Sequence, residues 1–397
     1  MANNVQVLDH VLPDRQILRE LAELEDPVGV LSIFVTADPR EEKSTKPAWA
    51  IRVGNQMAAL REELAADSDR QRAKRVLRAL DDHRDEIARV LRSREHGRGR
   101  ALFAPLGGGG SPRLVSVQMP LPDLVLLQSE PYLRPLLEAH AGGAPAGIAV
   151  VHRTGARIID SRYGYATELE SEGFDLDTDD WREKRGPATP ILEQRSGTQR
   201  EKYAQRLERR VEQLLGQAAA RFQQLALAKG WETLVVAGEA KVAETFRSAL
   251  WSSPVVLVTE DLARASAFDV AEALRPRIAE TRRDEAARAA TAAKDAALAG
   301  GHGAVGLADT LSALRSGAVG TLLLDRRRDW EGVRSHDGQL FPLSEAGRQR
   351  TSLIPEQRMG ERMIESALRA KSEITMLDGD AAEPIAAYDG VAAQLRW

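Results

Sequence analysis

A chain of 397 residues with 55 Lys and Arg against 59 Asp and Glu carries a net charge of only −4, and it contains no cysteine. That length accommodates two or three domains with cores of their own, and the near balance of charge confines nucleic-acid contacts to local patches. The missing thiols exclude disulfides, thiolate zinc sites, iron–sulfur clusters and a cysteine nucleophile, and fit a reducing cytoplasm.

The first residues, MANNVQVLDHVLPDRQ, show no basic segment followed by an apolar core, so no signal peptide is expected. No apolar run approaches the roughly 20 residues of a membrane span. Residues 14–24 read as a short amphipathic helix capped near Asp14, and Gly29 to Thr36 as a buried strand. Helices are expected over 49–64 and 69–91. Strands over 99–105 and 113–117 flank the four glycines Gly107 to Gly110, which read as a hairpin tip. Arg92, Arg94, Arg98 and Arg100 form a basic patch, read either as solvated surface or as a phosphate contact. The proline-rich stretch 120–145 reads as a crossing to the next domain.

The second domain opens with strands over 146–151 and 156–160 around a turn at Arg153 to Gly155. Between Ser161 and Asp180 lie seven acids and one Arg. From Trp181 to Arg210 the balance inverts to nine Lys/Arg against four Asp/Glu. Pro187 and Pro190 predict an exposed, irregular loop, and Gly197-Thr198-Gln199 sits where that loop meets a helix running to Lys229. Tyr203, Leu207, Val211, Leu214, Ala218, Phe222 and Leu225 give this helix its apolar face. Arg200, Lys202, Arg206, Arg209 and Arg210 lie on its basic side and, with Arg195, are the candidate RNA-binding residues. Two readings stay open here. Ser196-x-x-Gln199 and Thr198-x-x-Glu201 both match a capping box, and the basic face is equally a solvated surface laced by Glu201 and Glu208. The acidic segment is expected to pair with these arginines in the free protein.

A strand over 231–237, a helix over 242–250 and a strand over 255–258 complete an α/β pattern. Residues 271–299, rich in Ala, Arg and Glu, predict a long bridging helix. Beyond it come a helix over 307–314, a strand over 320–324, a polar stretch 326–350 expected to loop out, a helix over 360–370 and strands over 374–377 and 391–397. The domains are thus expected at 1–140, 141–270 and 301–397, with a helical bridge at 271–300. The seven histidines are scattered with no i,i+4 pair, so no metal site is expected. No Gly-x-Ser-x-Gly or phosphate-binding Walker loop is present, and no cofactor is expected.

Val305 to Leu324, with its turn Gly317-Ala318-Val319, and the chain end YDGVAAQLRW resemble the C-terminal domain of Pelota and of archaeal and eukaryotic class I release factors. Gly147-Ile148-Ala149-Val150, the basic helix and Leu234 to Gly238 resemble that family's middle domain. The order of elements agrees over roughly 250 residues. Length and the absence of cysteine suit bacterial relatives of these factors, a group that includes the ribosome hibernation factor Balon. The resemblance implies α/β and α+β domains, the middle one ribonuclease-H-like and the last an L7Ae-like α/β/α sandwich. It implies a factor that occupies the ribosomal A site, touching 16S and 23S rRNA, with an elongation-factor-Tu-like GTPase as partner.

In the family, Gly-Gly-Gln enters the peptidyl transferase centre and positions a water against peptidyl-tRNA. By position, Gly197 matches the first glycine and Gln199 the glutamine, which makes Gln199 the candidate catalytic residue of a peptidyl-tRNA hydrolase. Thr198 departs from the second glycine; a β-branched residue restricts φ and ψ there, which disfavours hydrolysis and leaves docking. The decoding motif Asn-Ile-Lys-Ser is absent, and Glu42 to Lys46 offers no substitute, so stop-codon reading is not expected.

Overall fold

The computed structural model describes residues 10–41, 46–176, 194–251, 255–348 and 352–397. The chain forms two compact units: one joins residues 1–143 to 282–397, the other is 144–281.

In the first unit, strands β1 (His10–Val11), β2 (Val30–Thr36), β3 (Gly99–Pro105), β4 (Arg113–Val117) and β5 (Leu124–Gln128) form one sheet in the order β1-β4-β3-β2-β5. Helix α1 (Arg15–Ala22) starts where Asp14 accepts a hydrogen bond from the Ile17 amide at 2.8 Å, the expected N-cap. β2 alternates. Leu31, Ile33 and Val35 face a core with Trp49 and Val53 of α2 (Ala48–Ala65) and Val76 and Leu80 of α3 (Arg70–Asp82). On the other face, Phe34 meets Phe103 and Tyr132 edge-on, at 5.7 and 6.2 Å. The single helix expected over 69–91 is two, because the chain breaks at His83 before α4 (Arg84–Val90). The tetraglycine is a β3–β4 hairpin tip, held at its base by the buried Asp26 carboxylate. That group accepts from the amides of Val28 (2.8 Å), Gly29 (3.1 Å) and Gly107 (2.8 Å). The stretch 120–145 is no mere crossing, since it contributes β5 and α5 (Arg134–Gly143).

The second unit is a three-layer α/β sandwich. Its sheet runs β10-β9-β6-β7-β8, from β6 (Ala146–His152), β7 (Gly155–Arg162), β8 (Tyr165–Gly173), β9 (Thr233–Gly238) and β10 (Val255–Val258). β6, β9 and β10 are mutually parallel. β6 and β9 are buried on both faces, which explains their unbroken apolar sequence. Ala149, Val151 and Val236 pack against Leu215, Ala219 and Phe222 of α6 (Gln194–Lys229) and Phe246 of α7 (Ala240–Ser248). Ile148, Val150 and Val235 pack on the opposite side against Val270, Leu274 and Ile278 of α8 (Ala267–Leu298).

The C-terminal part of the first unit begins with the second half of α8, whose Ala290 and Ala293 pack on Leu323, Leu377 and Ala392. Its sheet runs β11-β17-β12-β16, with β11 (Gly303–Val305), β12 (Val319–Asp325), β16 (Glu373–Leu377) and β17 (Val391–Leu395). Helices α9 (Leu307–Arg315) and α10 (Met359–Arg369) also pack against it. The stretch expected to loop out instead carries a small sheet, β14-β13-β15, from β13 (Gly332–Ser335), β14 (Leu340–Pro342) and β15 (Leu353–Glu356). Trp330, Val333, Leu340 and Phe341 bury its apolar side.

A buried ionic network joins the two ends of the chain in this unit. Arg134 of α5 donates to Glu361 at 2.8 Å. Glu130 binds Arg334 of β13 at 3.1 Å and also Arg362, which holds Glu365 at 2.7 Å. Outside it, Arg15 reaches Glu373 at 2.5 Å and Arg369 donates to the Ala22 carbonyl at 2.8 Å. Burial pushes the Glu365 carboxyl up to about 8, despite Arg362 beside it. Burial would likewise raise Glu130, but Arg362, Ser129 and Arg334 hold it below the usual carboxylate value.

Candidate functional site

Helix α6 organises the second unit. Its 36 residues span about 54 Å at 1.5 Å per residue. Its C-terminal half repeats apolar residues every three or four positions, and Leu214, Leu215, Ala218, Ala219 and Phe222 are buried. In the turns 201–210, none of the described residues is fully buried. Glu201, Gln205, Arg206, Glu208 and Arg209 are exposed, Leu207 and Arg210 are half-buried, and Tyr203 is 44% exposed. An ion pair between Glu208 and Lys241, at the start of α7, ties these turns to the body. Fourteen residues of the helix, about 21 Å of its length, precede Glu208.

This end lies at the carboxyl edge of the parallel strands. β6 and β9 finish at His152 and Gly238, and Lys241 follows three residues later. Open α/β sheets place their ligand sites at that edge. Gly238 is required there, because a Cβ would lie 2.1 Å from the Val151 carbonyl oxygen.

The structure differs from the sequence expectation at the tripeptide itself. The helix begins at Gln194, so the backbone of Gly197, Thr198 and Gln199 lies in its first turns rather than in a loop ahead of it. Ser196 and Thr198 are therefore not at the N-cap. One glycine costs a helix only about 1 kcal/mol, and no proline lies between Pro190 and the end of the helix at Lys229, so nothing local stops the helix from extending back. The proline-broken stretch before it, residues 177–193 with Trp181, Pro187 and Pro190, lies outside the described residues, as do 42–45. The side chains of Arg195, Gly197, Thr198, Gln199, Arg200 and Lys202 also lie outside those described.

Among the candidate RNA-binding residues that are described, Arg206 and Arg209 are exposed, and neither has an ion-pair partner among the described residues. Arg210 donates to Gln213 at 3.3 Å, one turn along. Of the acidic segment, Asp177, Asp179 and Asp180 lie outside the described residues, as do the side chains of Arg195, Arg200 and Lys202, so the expected pairing falls outside them. That segment contains strand β8, whose Glu170 pairs with Arg221 at 2.6 Å and whose Glu168 pairs with Arg157 at 2.5 Å. Both partners lie outside the basic turns at 200–210. Among the described residues, no group of three His, Asp or Glu is placed to hold a metal ion, and no helix is long and apolar enough to cross a membrane.

The basic patch expected in the first unit also divides. Arg100 is buried at 2% exposure and serves the fold, whereas Arg92 and Arg94 are exposed and Arg98 is half-buried.

Residues 145–275 match the family described as bacterial archaeo-eukaryotic release factor family 5. The uncharacterized protein YocB of Bacillus subtilis (strain 168) is 24% identical over 228 residues, which cover 57% of this chain and 83% of that protein. Among solved structures, Pelota of Archaeoglobus fulgidus is similar at 14% identity and a TM-score of 0.33, over 75% of this chain and 79% of its own. Dom34 of S. cerevisiae, described as a translation termination-like factor interacting with Hbs1, is similar at 8% identity and a TM-score of 0.39, over 69% and 74%. A structure described as a model of ribosome-bound archaeal Pelota and ABCE1 is similar at 15% identity and a TM-score of 0.40, over 97% and 95%.

Proposed function

We propose, from the premise that residues 145–275 belong with the bacterial relatives of release factors, that this protein is a ribosome-binding translation factor. It occupies the A site of idle or stalled ribosomes, in hibernation or rescue, and does not read stop codons. The observation that carries this reading is the turn of α6 around Arg206 and Arg209: both arginines are exposed, and the Glu208–Lys241 pair sets that turn at the ligand-binding edge of its sheet. Such a turn suits a crevice walled by phosphate, where arginine binds through paired hydrogen bonds. On this reading Gly197-Thr198-Gln199 faces the peptidyl transferase centre, the 1–140 segment the decoding centre, and the 301–397 segment an elongation-factor-Tu-like GTPase.

A non-catalytic role is favoured over peptidyl-tRNA hydrolysis. A glycine pair followed by glutamine lets the backbone turn and offer an amide to the reacting ester. Here Thr198 replaces the second glycine and the backbone is helical, which commits its amide groups to the helix.

Co-sedimentation with 70S ribosomes tests the reading. The protein should pellet at low salt and be released as salt rises, because phosphate contacts dominate such affinity. Arg206→Glu with Arg209→Glu should weaken pelleting at every salt concentration. Gln199→Ala should pellet like the parent, and neither should release labelled peptide. No pelleting at any salt overturns the proposal, and peptide release that Gln199→Ala abolishes replaces it with the hydrolase.

A further inference from the structure

The first unit contains a second basic feature that α6 does not explain. An open groove of about 550 Å³ runs between the end of β2 and the turn after α4, lined by Arg40, Ser93, Arg94, His96, Arg98 and Gln118 among others. Its floor is built by Arg100. That buried guanidinium donates to the carbonyls of Val90 (3.0 Å), Arg92 (2.5 Å), Glu95 (2.5 Å) and Gly97 (2.8 Å). Drawing four carbonyls inward wraps the turn around one cation and leaves Arg92, Arg94 and His96 exposed. Gly97 makes the wrap feasible: its φ is +88°, and a Cβ there would sit 2.6 Å from the Ser116 Cβ.

Among the described residues the groove keeps a positive surplus. Its two carboxylates are already engaged, Asp38 by Arg98 at 2.9 Å and Glu95 by Arg89 at 3.1 Å. Arg40 and Arg94 are exposed and form no ion pair among the described residues. No large apolar side chain lines it, whereas a protein partner needs an apolar anchor at the centre of its footprint. Nor does it enclose its occupant, as a site for a small phosphate compound would.

We propose that this groove binds the phosphodiester backbone of RNA, with Arg40 and Arg94 as its phosphate ligands and Arg100 as the residue that positions the turn. The choice of RNA over a free phosphate compound rests on the ribosome-binding reading above; the anion site does not.

The test is fluorescence anisotropy with a labelled mixed-sequence RNA of about 20 nucleotides at several salt concentrations. It compares the parent, Arg40→Ala/Arg94→Ala and Arg206→Ala/Arg209→Ala, with inorganic phosphate and ATP as competitors. Both groove residues are exposed, so the melting temperature should not change. The groove variant should bind RNA about ten-fold more weakly, with the slope of log K against log salt reduced by about two, and millimolar phosphate should not compete. Unchanged affinity and slope overturn the site. Stoichiometric ATP or phosphate binding that the groove variant abolishes overturns RNA as its occupant. A groove-dependent loss of RNA binding, in a protein that ignores ribosomes, sinks the ribosome reading and leaves the groove standing.

Discussion

At the scale of single residues, two buried groups do structural work that an exposed copy would not. Gly147 lies under Trp231, whose indole donates to Asp160 at 2.6 Å, and a Cβ on Gly147 would fall 2.0 Å from the ring. Gly147→Ala should therefore cost about 2 kcal/mol or more in urea unfolding, the usual range for forced overpacking. Glu365 gives a pH signature. Folded, its carboxyl titrates near 8; unfolded, it falls in the ordinary carboxylate range. The folded chain thus holds a proton that the unfolded chain releases. That stabilisation is complete at acid pH, shrinks as pH climbs through neutrality, and is gone above about 8. Glu130 works in the other window: held low by Arg362 and Arg334, it stabilises above the ordinary carboxylate pKa and is lost on acidification. Melting at pH 6 and pH 9 should show a loss on the order of 2 kcal/mol in the parent and little in Glu365→Gln. A flat parent would remove Glu365 from the account.

At the scale of elements, the exposed arginines of α6 should be dispensable for folding. Arg206→Glu/Arg209→Glu should shift stability by no more than about 0.5 kcal/mol, as exposed substitutions do, and thermal melting checks this. The same helix shows where sequence is legible. Its C-terminal half, β2, β6 and β9 were readable because burial repeats with a helical period or fills both faces of a strand. Its start was not. A lone glycine after two prolines looks like a loop, yet without a following breaker the helix continues back through Gly197. Strand β8 hid because its acids face solvent or pair with Arg157 and Arg221. Strands β13 to β15 hid because three- and four-residue strands in a polar stretch give too short an alternation. At the candidate site, the sequence disclosed the charge of the patch at 92–100 but not its division. Only the fold separates Arg100, surrounded by carbonyls, from Arg94 in the groove beside Arg40, more than fifty residues earlier.

At the scale of the whole chain, the association of residues 1–143 with 282–397 depends on partners too far apart in sequence for any local pattern to announce. Arg362 is central, held among Glu130, Glu356 and Glu365. Arg362→Leu strands buried carboxylates and should cost about 3–5 kcal/mol. Chemical unfolding would measure it, and a near-neutral effect would mean that the network contributes little. The functional account depends on α6 being a probe that carries Thr198 into a crevice of RNA. A photo-crosslinking residue placed at 198, with the protein bound to 70S ribosomes, addresses this directly. Crosslinks to 23S rRNA near the peptidyl transferase centre are the predicted result. Crosslinks to the protein's own chain alone, or to none of the ribosome's RNA, contradict it.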